Sequence, residues 1–364
     1  MQEITSYFEE IPDPRIDRSK KHELLDIIMI SLCAVLAGAD GWEAIHDFAT
    51  VKESWLKTFL KLNSGTPSAD TIRRVISRIN PQEFERSFSA WVSDVRTKVR
   101  GVVAIDGKTV KNKKAESPLH LVSAWSNQNQ GICLGQIATE SKSNEITAIP
   151  CLLDALDVAG CLITIDAIGC QKEIAQKIVD SKADYCLAVK SNHPTLYKQI
   201  ESFFADANGS LMGNVKQTFQ QNKGHGRHEI RVAYLSQKRK EVPKLSEWPN
   251  IKQFGMILSK RTAGENSTVQ KRYFITSSSM SAKDLMTSVR SHWGIENQLH
   301  WVLDVVFKED GNRILKDHGQ QNLSVLRRIS INLINQDKSK LSKKRRMFRM
   351  AMDATYMKKV LGYL

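Results

Sequence analysis

At 364 residues, with 41% hydrophobic and 25% charged side chains, the chain can fill one large domain or two and is neither low-complexity nor fibrous. The 53 Lys and Arg against 39 Asp and Glu leave a net charge of +14, which favours a polyanionic partner, most simply nucleic acid, held less tightly as salt rises. Six cysteines (33, 133, 151, 161, 170 and 186) show neither a CxxC pair nor zinc-finger spacing, and five lie in or beside apolar runs, so reduced, buried thiols in a reducing cytosol are expected.

Residues 1 to about 95 read as an all-helical N-terminal domain. Lys20 and Lys21 ahead of the apolar run Ile27–Ala39 imitate a secretion signal, and Ala37-Gly38-Ala39 imitates its cleavage site. Acidic residues before Leu24 and the shortness of the run predict instead a core helix from Glu23 to Ala37, with no membrane partner. A helix across Trp42–Phe48 follows, then one through Ile79 with Ser68 as its N-cap. Ile72, Val75, Ile76 and Ile79 share its apolar face. Arg73, Arg74 and Arg78 lie elsewhere, either a solvated basic face or the DNA-facing side of a helix-turn-helix-like unit.

Beyond Arg96–Arg100 the composition changes. Val102–Val110, Leu119–Trp125 and Ile132–Ala138 predict an antiparallel meander. A helix from Glu145 to Val158, a strand Cys161–Asp166, a helix Lys172–Ser181 and a strand Tyr185–Lys190 complete an α/β order with a mixed sheet. Residues about 192–278 interrupt it with a polar stretch, Ala207–Gly224, and three β-like runs, His228–Leu235, Phe254–Ser259 and Arg272–Ser277. A helix follows from Ser281, where Ser281-Ala-Lys-Asp284 has capping-box form, and another runs from about Gln320 to Ile334. A basic stretch, Lys338–Arg346, and a short helix end the chain.

The helix after Ser281 carries an anomaly. Its stripe Leu285, Val289, His292, Glu296, Leu299, Leu303 places a carboxylate and an imidazole on the face that should meet the core. A buried carboxylate needs a cation, a proton or a partner. Asp106 and Asp166 each follow an apolar strand run, where a lone Asp is commonly a turn or cap residue. Three such carboxylates brought together would repel unless divalent cations sat between them, and oxygen-only ligation suits Mg²⁺ or Mn²⁺. Two ions about 4 Å apart would activate a water or 3′-hydroxyl at a phosphodiester. Gly107-Lys108-Thr109 imitates a phosphate loop, but Val102 stands where that loop needs glycine. His292, Glu296 and His300 imitate a zinc site without any His-Glu-x-x-His, and leave both aspartates unexplained.

At these residues the chain resembles the DDE transposases of bacterial insertion sequences, in the ISAs-type group that includes the H-repeat-associated proteins. The stretches that carry the resemblance are Ala104-Ile-Asp-Gly-Lys108, Thr164-Ile-Asp-Ala-Ile-Gly-Cys-Gln171, Lys223-Gly-His-Gly-Arg-His-Glu-Ile-Arg231 and His292-Trp-Gly-Ile-Glu-Asn-Gln-Leu-His-Trp-Val-Leu-Asp-Val305. The resemblance spans nearly the whole chain. It implies a ribonuclease H-like mixed sheet over residues 100–337, with a β-rich insertion at about 192–278, behind a helical domain of residues 1–95 and ahead of a basic tail, 338–364. It implies a DDE triad at Asp106, Asp166 and Glu296 that holds two Mg²⁺ or Mn²⁺ ions. It implies an enzyme that binds element ends in double-stranded DNA, cleaves with metal-activated water and joins the 3′-hydroxyl to target DNA, as a homodimer on DNA in the bacterial cytoplasm at the nucleoid. A domesticated or relic DNA-binding protein is the alternative. The wider insertion-sequence pattern sets Tyr, Arg and Lys around the Glu, where this chain has Val289, His292 and Leu303. Arg290, His292, Asn297 and His300 are therefore candidate DNA contacts, with Lys108, Lys190, Asn192, His225, Arg227 and Arg231.

Overall fold

A computed structural model describes residues 4–16, 20–95, 99–111, 118–139, 144–205, 215–224, 227–311, 314 and 317–362. Helices α1 (Ile4–Phe8), α2 (Leu24–Leu36), α3 (Trp42–Val51), α4 (Glu53–Leu56), α5 (Ala69–Arg78) and α6 (Pro81–Val95) come first. Strands β1 (Gly101–Val110), β2 (Leu119–Ser126) and β3 (Ile132–Thr139) follow, then α7 (Glu145–Asp154), β4 (Cys161–Ile165), α8 (Lys172–Asp180), β5 (Asp184–Val189) and α9 (Pro194–Ala205). Four long strands come next, β6 (Lys216–Gly224), β7 (Arg227–Ser236), β8 (Gln253–Ala263) and β9 (Asn266–Thr276). The chain continues through α10 (Ala282–Gly294), a π-helical turn (Ile295–His300), α11 (Trp301–Val305), α12 (Gly319–Gln336), α13 (Lys343–Met352) and α14 (Ala354–Leu361). The strands make one mixed sheet of nine in the order β3-β2-β1-β4-β5-β9-β8-β7-β6. Two compact units divide the chain, one of residues 1–99, 107–144 and 295–364, the other of residues 100–106 and 145–294.

In the first unit, α2 buries 12 of its 13 residues, as the predicted core helix should. Its carboxylate Asp26 is satisfied by the backbone N–H groups of Lys61 (3.4 Å) and Leu62 (3.0 Å). Among the described residues no helix is long and apolar enough to cross a membrane. Helix α5 is capped by Ser68, whose hydroxyl accepts from the Thr71 N–H at 3.2 Å. Helix α12 packs against α2, α5, α6 and β3. Its polar residues turn inward to satisfy backbone: Asn322 donates to the carbonyls of Ile76 (2.7 Å) and Ile79 (2.9 Å), and Asn332 exchanges two 2.8 Å bonds with the Cys133 backbone. All six cysteines are free, five buried and Cys151 exposed.

Glu85 of α6 accepts from Gln321 at 3.0 Å and Gln136 at 3.3 Å. Burial outweighs both hydrogen bonds and raises its pKa to about 7 from an ordinary 4.5. Between those values the folded state holds a proton that the unfolded state has released, so stability falls as pH rises from about 4.5 to about 7 and stays low above. Glu85→Gln keeps an acceptor for both glutamines and removes the charge. It is expected to be more stable than wild type by about 3 kcal/mol at pH 8 and nearly equal to it at pH 4, by urea denaturation.

In the second unit, β1, β4 and β5 are parallel and register-matched, with Gly101 opposite Cys161 through Ile105 opposite Ile165. The segment expected to interrupt the sheet extends it instead. Strand β9 pairs antiparallel with β5, Cys186 opposite Thr276, and β8, β7 and β6 follow as an antiparallel meander. The polar stretch contains β6, a fourth strand whose residues are mostly exposed because it is the sheet edge. Its Gln- and Lys-rich sequence is what an edge strand uses to resist further pairing.

Helix α10 begins with the predicted reciprocal cap: the Asp284 N–H donates to the Ser281 hydroxyl (3.1 Å) and the Ser281 N–H to the Asp284 carboxylate (3.0 Å). Leu285 and Met286 pack into a cluster with Cys186, Ala233, Leu235, Ile257 and Phe274. Gly255 lets the helix approach β8, since a Cβ there would stand 2.5 Å from Leu285 Cδ2 and 2.7 Å from the Tyr234 carbonyl oxygen. Gly255→Ala is expected to destabilise this unit by about 1–3 kcal/mol, read as a lowered urea midpoint, because backbone cannot retreat as a side chain can.

Candidate active site

Asp106 and Asp166 each come one residue after the matched pair Ile105 and Ile165, which are buried on adjacent parallel strands. Neighbouring strands lie about 4.8 Å apart, so the register brings the two acids to one level at the carboxyl side of β4. Both are half-buried. The Asp166 carboxylate accepts the Ile168 N–H at 2.9 Å, closing a tight turn after β4. Asn192 donates to the Ala167 carbonyl at 2.7 Å, and a ring nitrogen of His193 lies 2.6 Å from the Cys170 carbonyl. These bonds tie the loop after β5 to the loop that carries Asp166.

His292, on α10, meets β4 two residues before Asp166: its Nδ1 and the Thr164 hydroxyl are 3.0 Å apart. Burial pushes its pKa below the ordinary value, against the pull of the Asp166 charge. The Arg272 guanidinium lies over the Trp293 ring, 5.1 Å from its centre, leaving that ring 38% exposed. Arg290 is exposed and donates to Gln220 at 2.7 Å. Arg231 pairs with Glu229 at 2.5 Å, and burial, then the neighbouring Arg290 and Arg272 charges, lower its pKa. His225 and the Arg227 side chain lie outside the described residues.

Glu296 does not occupy a core-facing position. Within the π-helical turn, Ile295 and Leu299 are fully buried while Glu296, Asn297 and Gln298 are exposed. The stripe drawn through this segment assumed uniform α-helical spacing, and the wider turn shifts that spacing. What is unusual at Glu296 is therefore the backbone rather than the burial, and such turns are rare and concentrate at functional sites. His300, at its end, is half-buried.

Lys108 is not placed as a DNA contact. It is 7% exposed and its ammonium lies 2.7 Å from Asp304, 2.9 Å from Asp310 and 3.4 Å from Glu309. Glu309 is fully buried, 3.3 Å from Arg328 and 3.9 Å from Arg327, and accepts from Ser324 at 2.7 Å. Burial alone would raise the Glu309 pKa, but Arg328, Lys108 and Arg327 more than offset it and hold it down at about 2. The same partners keep the Lys108 pKa above its ordinary value although burial opposes this. None of this cluster except Lys108 was singled out from sequence. The signal was Arg327-Arg328, the only charged residues of α12, whose burial requires an internal anion.

Arg73 and Arg74 both pair with Asp70, Arg74 at 3.0 Å, while Arg78 is exposed at the end of α5. Lys190 is exposed just past β5. Among the described residues no group of three or more His, Cys, Asp or Glu side chains stands together as a metal site. Asp106 and Asp166 share one unit, and Glu296 belongs to the other.

The sequence matches the family described as Transposase DDE domain over residues 97–333, and a family described as associated with it over residues 5–92. A protein of Escherichia coli O157:H7 named as a transposase, YncI, is 41% identical across 100% of this chain and 95% of its own length. The H repeat-associated protein YhhI of Escherichia coli K12, also named as a transposase, is 37% identical across 100% of this chain and 98% of its own. Among solved structures, a piggyBac transposase synaptic complex with hairpin DNA is similar with a TM-score of 0.40 and 10% identity, over 97% of this chain and 76% of that one. With the transposase family model matched over residues 97–333 and relatives aligned from end to end, the chain belongs to the DDE transposase family.

Proposed function

We propose that the chain binds the ends of its insertion sequence in double-stranded DNA, hydrolyses the phosphodiester there and joins the freed 3′-hydroxyl to target DNA. Asp106, Asp166 and Glu296 are the catalytic triad in this reading. The observation that carries it is that Asp106 and Asp166 each directly follow the register-matched pair Ile105 and Ile165. Two carboxylates one strand spacing apart repel each other unless a cation joins them. The donor set is all oxygen and fits Mg²⁺ or Mn²⁺. In this reading Glu296, exposed in the π-helical turn, is the third acid of the triad. Such ions supply Lewis acidity to the attacking and leaving oxygens.

The protein's own residues hold this arrangement in place. The Ile168 N–H fixes one Asp166 oxygen, Asn192 braces the loop behind it, and neutral His292 hydrogen-bonds Thr164 beneath it. The strand order β3-β2-β1-β4-β5, antiparallel between β2 and β3 and parallel from β1 to β5, supports a ribonuclease H-like core. Arg290 and Lys190, both exposed, are DNA contacts in this reading, Lys190 standing just past β5. Arg231, His292, Asn297, His300 and the α5 arginines are further DNA contacts in this reading. Two ends have to be paired for joining, so a homodimer on DNA is expected, and gel filtration with and without end DNA checks it.

The deciding experiment incubates the purified chain with Mg²⁺ and a duplex carrying an element end. Cleavage at the end, followed by joining and abolished by chelation, is expected. Binding without cleavage in Mg²⁺ or Mn²⁺ would leave the DNA-binding relic as the better reading.

A further inference from the structure

The buried ion cluster around Lys108 has more cations than Glu309 requires. Arg327 and Arg328 already face that carboxylate, at 3.9 Å and 3.3 Å. Lys108 reaches past it to Asp304 on α11 and to Asp310, whose Oδ1 also accepts the Lys111 N–H at 3.1 Å. The end of β1 and the start of the segment after α11 thus share one carboxylate, and α11 is gripped separately through Asp304.

Asp304 lies eight residues beyond Glu296, and Lys108 two beyond Asp106 on the same face of β1. Between Glu296 and Asp304 the chain passes through the π-helical turn, whose hydrogen bonds are less favourable than those of an α-helix. Ile295 and Leu299, fully buried, anchor the turn itself, and the Lys108–Asp304 pair holds the helix that follows it. One residue taken up or released in the turn rotates its neighbours by about 100° around the axis, enough to turn the Glu296 carboxylate away.

Resting on the reading of Glu296 as a metal ligand, we propose that Lys108 is a positioning residue: by clamping α11 to β1 it keeps the turn wound and sets where Glu296 stands. It touches neither DNA nor the reacting atoms.

The test compares wild type with Lys108→Met, Lys108→Arg, Asp304→Asn and the Met/Asn double variant. End-DNA binding is measured by gel shift, cleavage against Mg²⁺ concentration, and Mn²⁺ uptake of the protein–DNA complex by electron paramagnetic resonance. Lys108→Met is expected to bind ends within about twofold of wild type, cleave about 100-fold more slowly and need about tenfold more metal for half-saturation. Lys108→Arg should recover part of both losses. Asp304→Asn should shift metal affinity in the same direction, and the double variant should be little worse than either single one, since they break one interaction. Wild-type metal affinity in Lys108→Met, or a cleavage loss that only tracks lost DNA binding, overturns the proposal. If Lys108→Met does not fold, wild-type metal affinity in Asp304→Asn, whose side chain is 35% exposed, overturns it equally. Wild-type cleavage by Glu296→Gln would instead sink the triad reading itself.

Discussion

Asp166→Asn is expected to lower Mg²⁺-dependent cleavage of end-containing DNA by at least about 1,000-fold while leaving the fold and end binding unchanged. The substitution isolates the charge. An asparagine side-chain oxygen still accepts the Ile168 N–H, a 2.9 Å bond in the native chain, so the turn after β4 keeps its closure. What disappears is half of the negative charge that β1 and β4 hold at one level. Without it a divalent cation gains little over its hydration shell, and the attacking oxygen is no longer activated. Asp106→Asn should behave alike because its strand register is the same. Glu296→Gln, in the other unit, should lose cleavage without the other two being touched. Cleavage time courses at fixed Mg²⁺, with gel shifts for binding, measure all three. Full activity in any one of them removes that residue from the triad.

Glu309→Gln is expected to destabilise the first unit by about 3–5 kcal/mol, the cost of leaving buried cations without their anion. Three of them converge on this carboxylate, and Arg327 and Arg328 have essentially no solvent exposure through which water could compensate. The pH dependence has a definite sign. The folded pKa is held at about 2 against an ordinary 4.5, so the contribution is complete above about pH 4.5 and is lost as pH falls toward 2. Glu85 acts in the opposite sense, its penalty growing from about pH 4.5 to 7. Urea denaturation of wild type and both variants between pH 3 and 8 separates them, since each substitution removes one limb of the profile. An unchanged acid limb in Glu309→Gln would show that the cluster contributes little.

Much of this architecture was legible because local chemistry and global fold agree. The Ser68 and Ser281 caps, the buried α2 and the parallel strands β4 and β5 follow from patterns that packing has no reason to override. Strand β6 was not legible, because an edge strand exposed on its faces loses the apolar alternation that would reveal it. Glu296 was singled out for a reason that the structure does not bear out. Constant 3.6-residue spacing placed it in the core, and the spacing changes at that residue. The partners of Lys108 were not legible, because the acids that claim it come about 200 residues later in sequence. Long-range charge compensation leaves no local periodicity.

Helix α12 lies at the centre of a unit that begins with the first helices of the chain, and this has a consequence for synthesis. The carbonyls of Ile76 and Ile79 receive their hydrogen bonds from Asn322. At roughly 5–20 residues per second, the ribosome takes on the order of 10–50 s to supply that partner after α5 has emerged. Until then the apolar faces of α2 and α5 lack the helix that covers them, and a nascent chain interrupted before α12 presents those faces to chaperones and proteases. A chain stopped before α12 is therefore expected to be degraded faster than the full-length chain, as a pulse-chase would show.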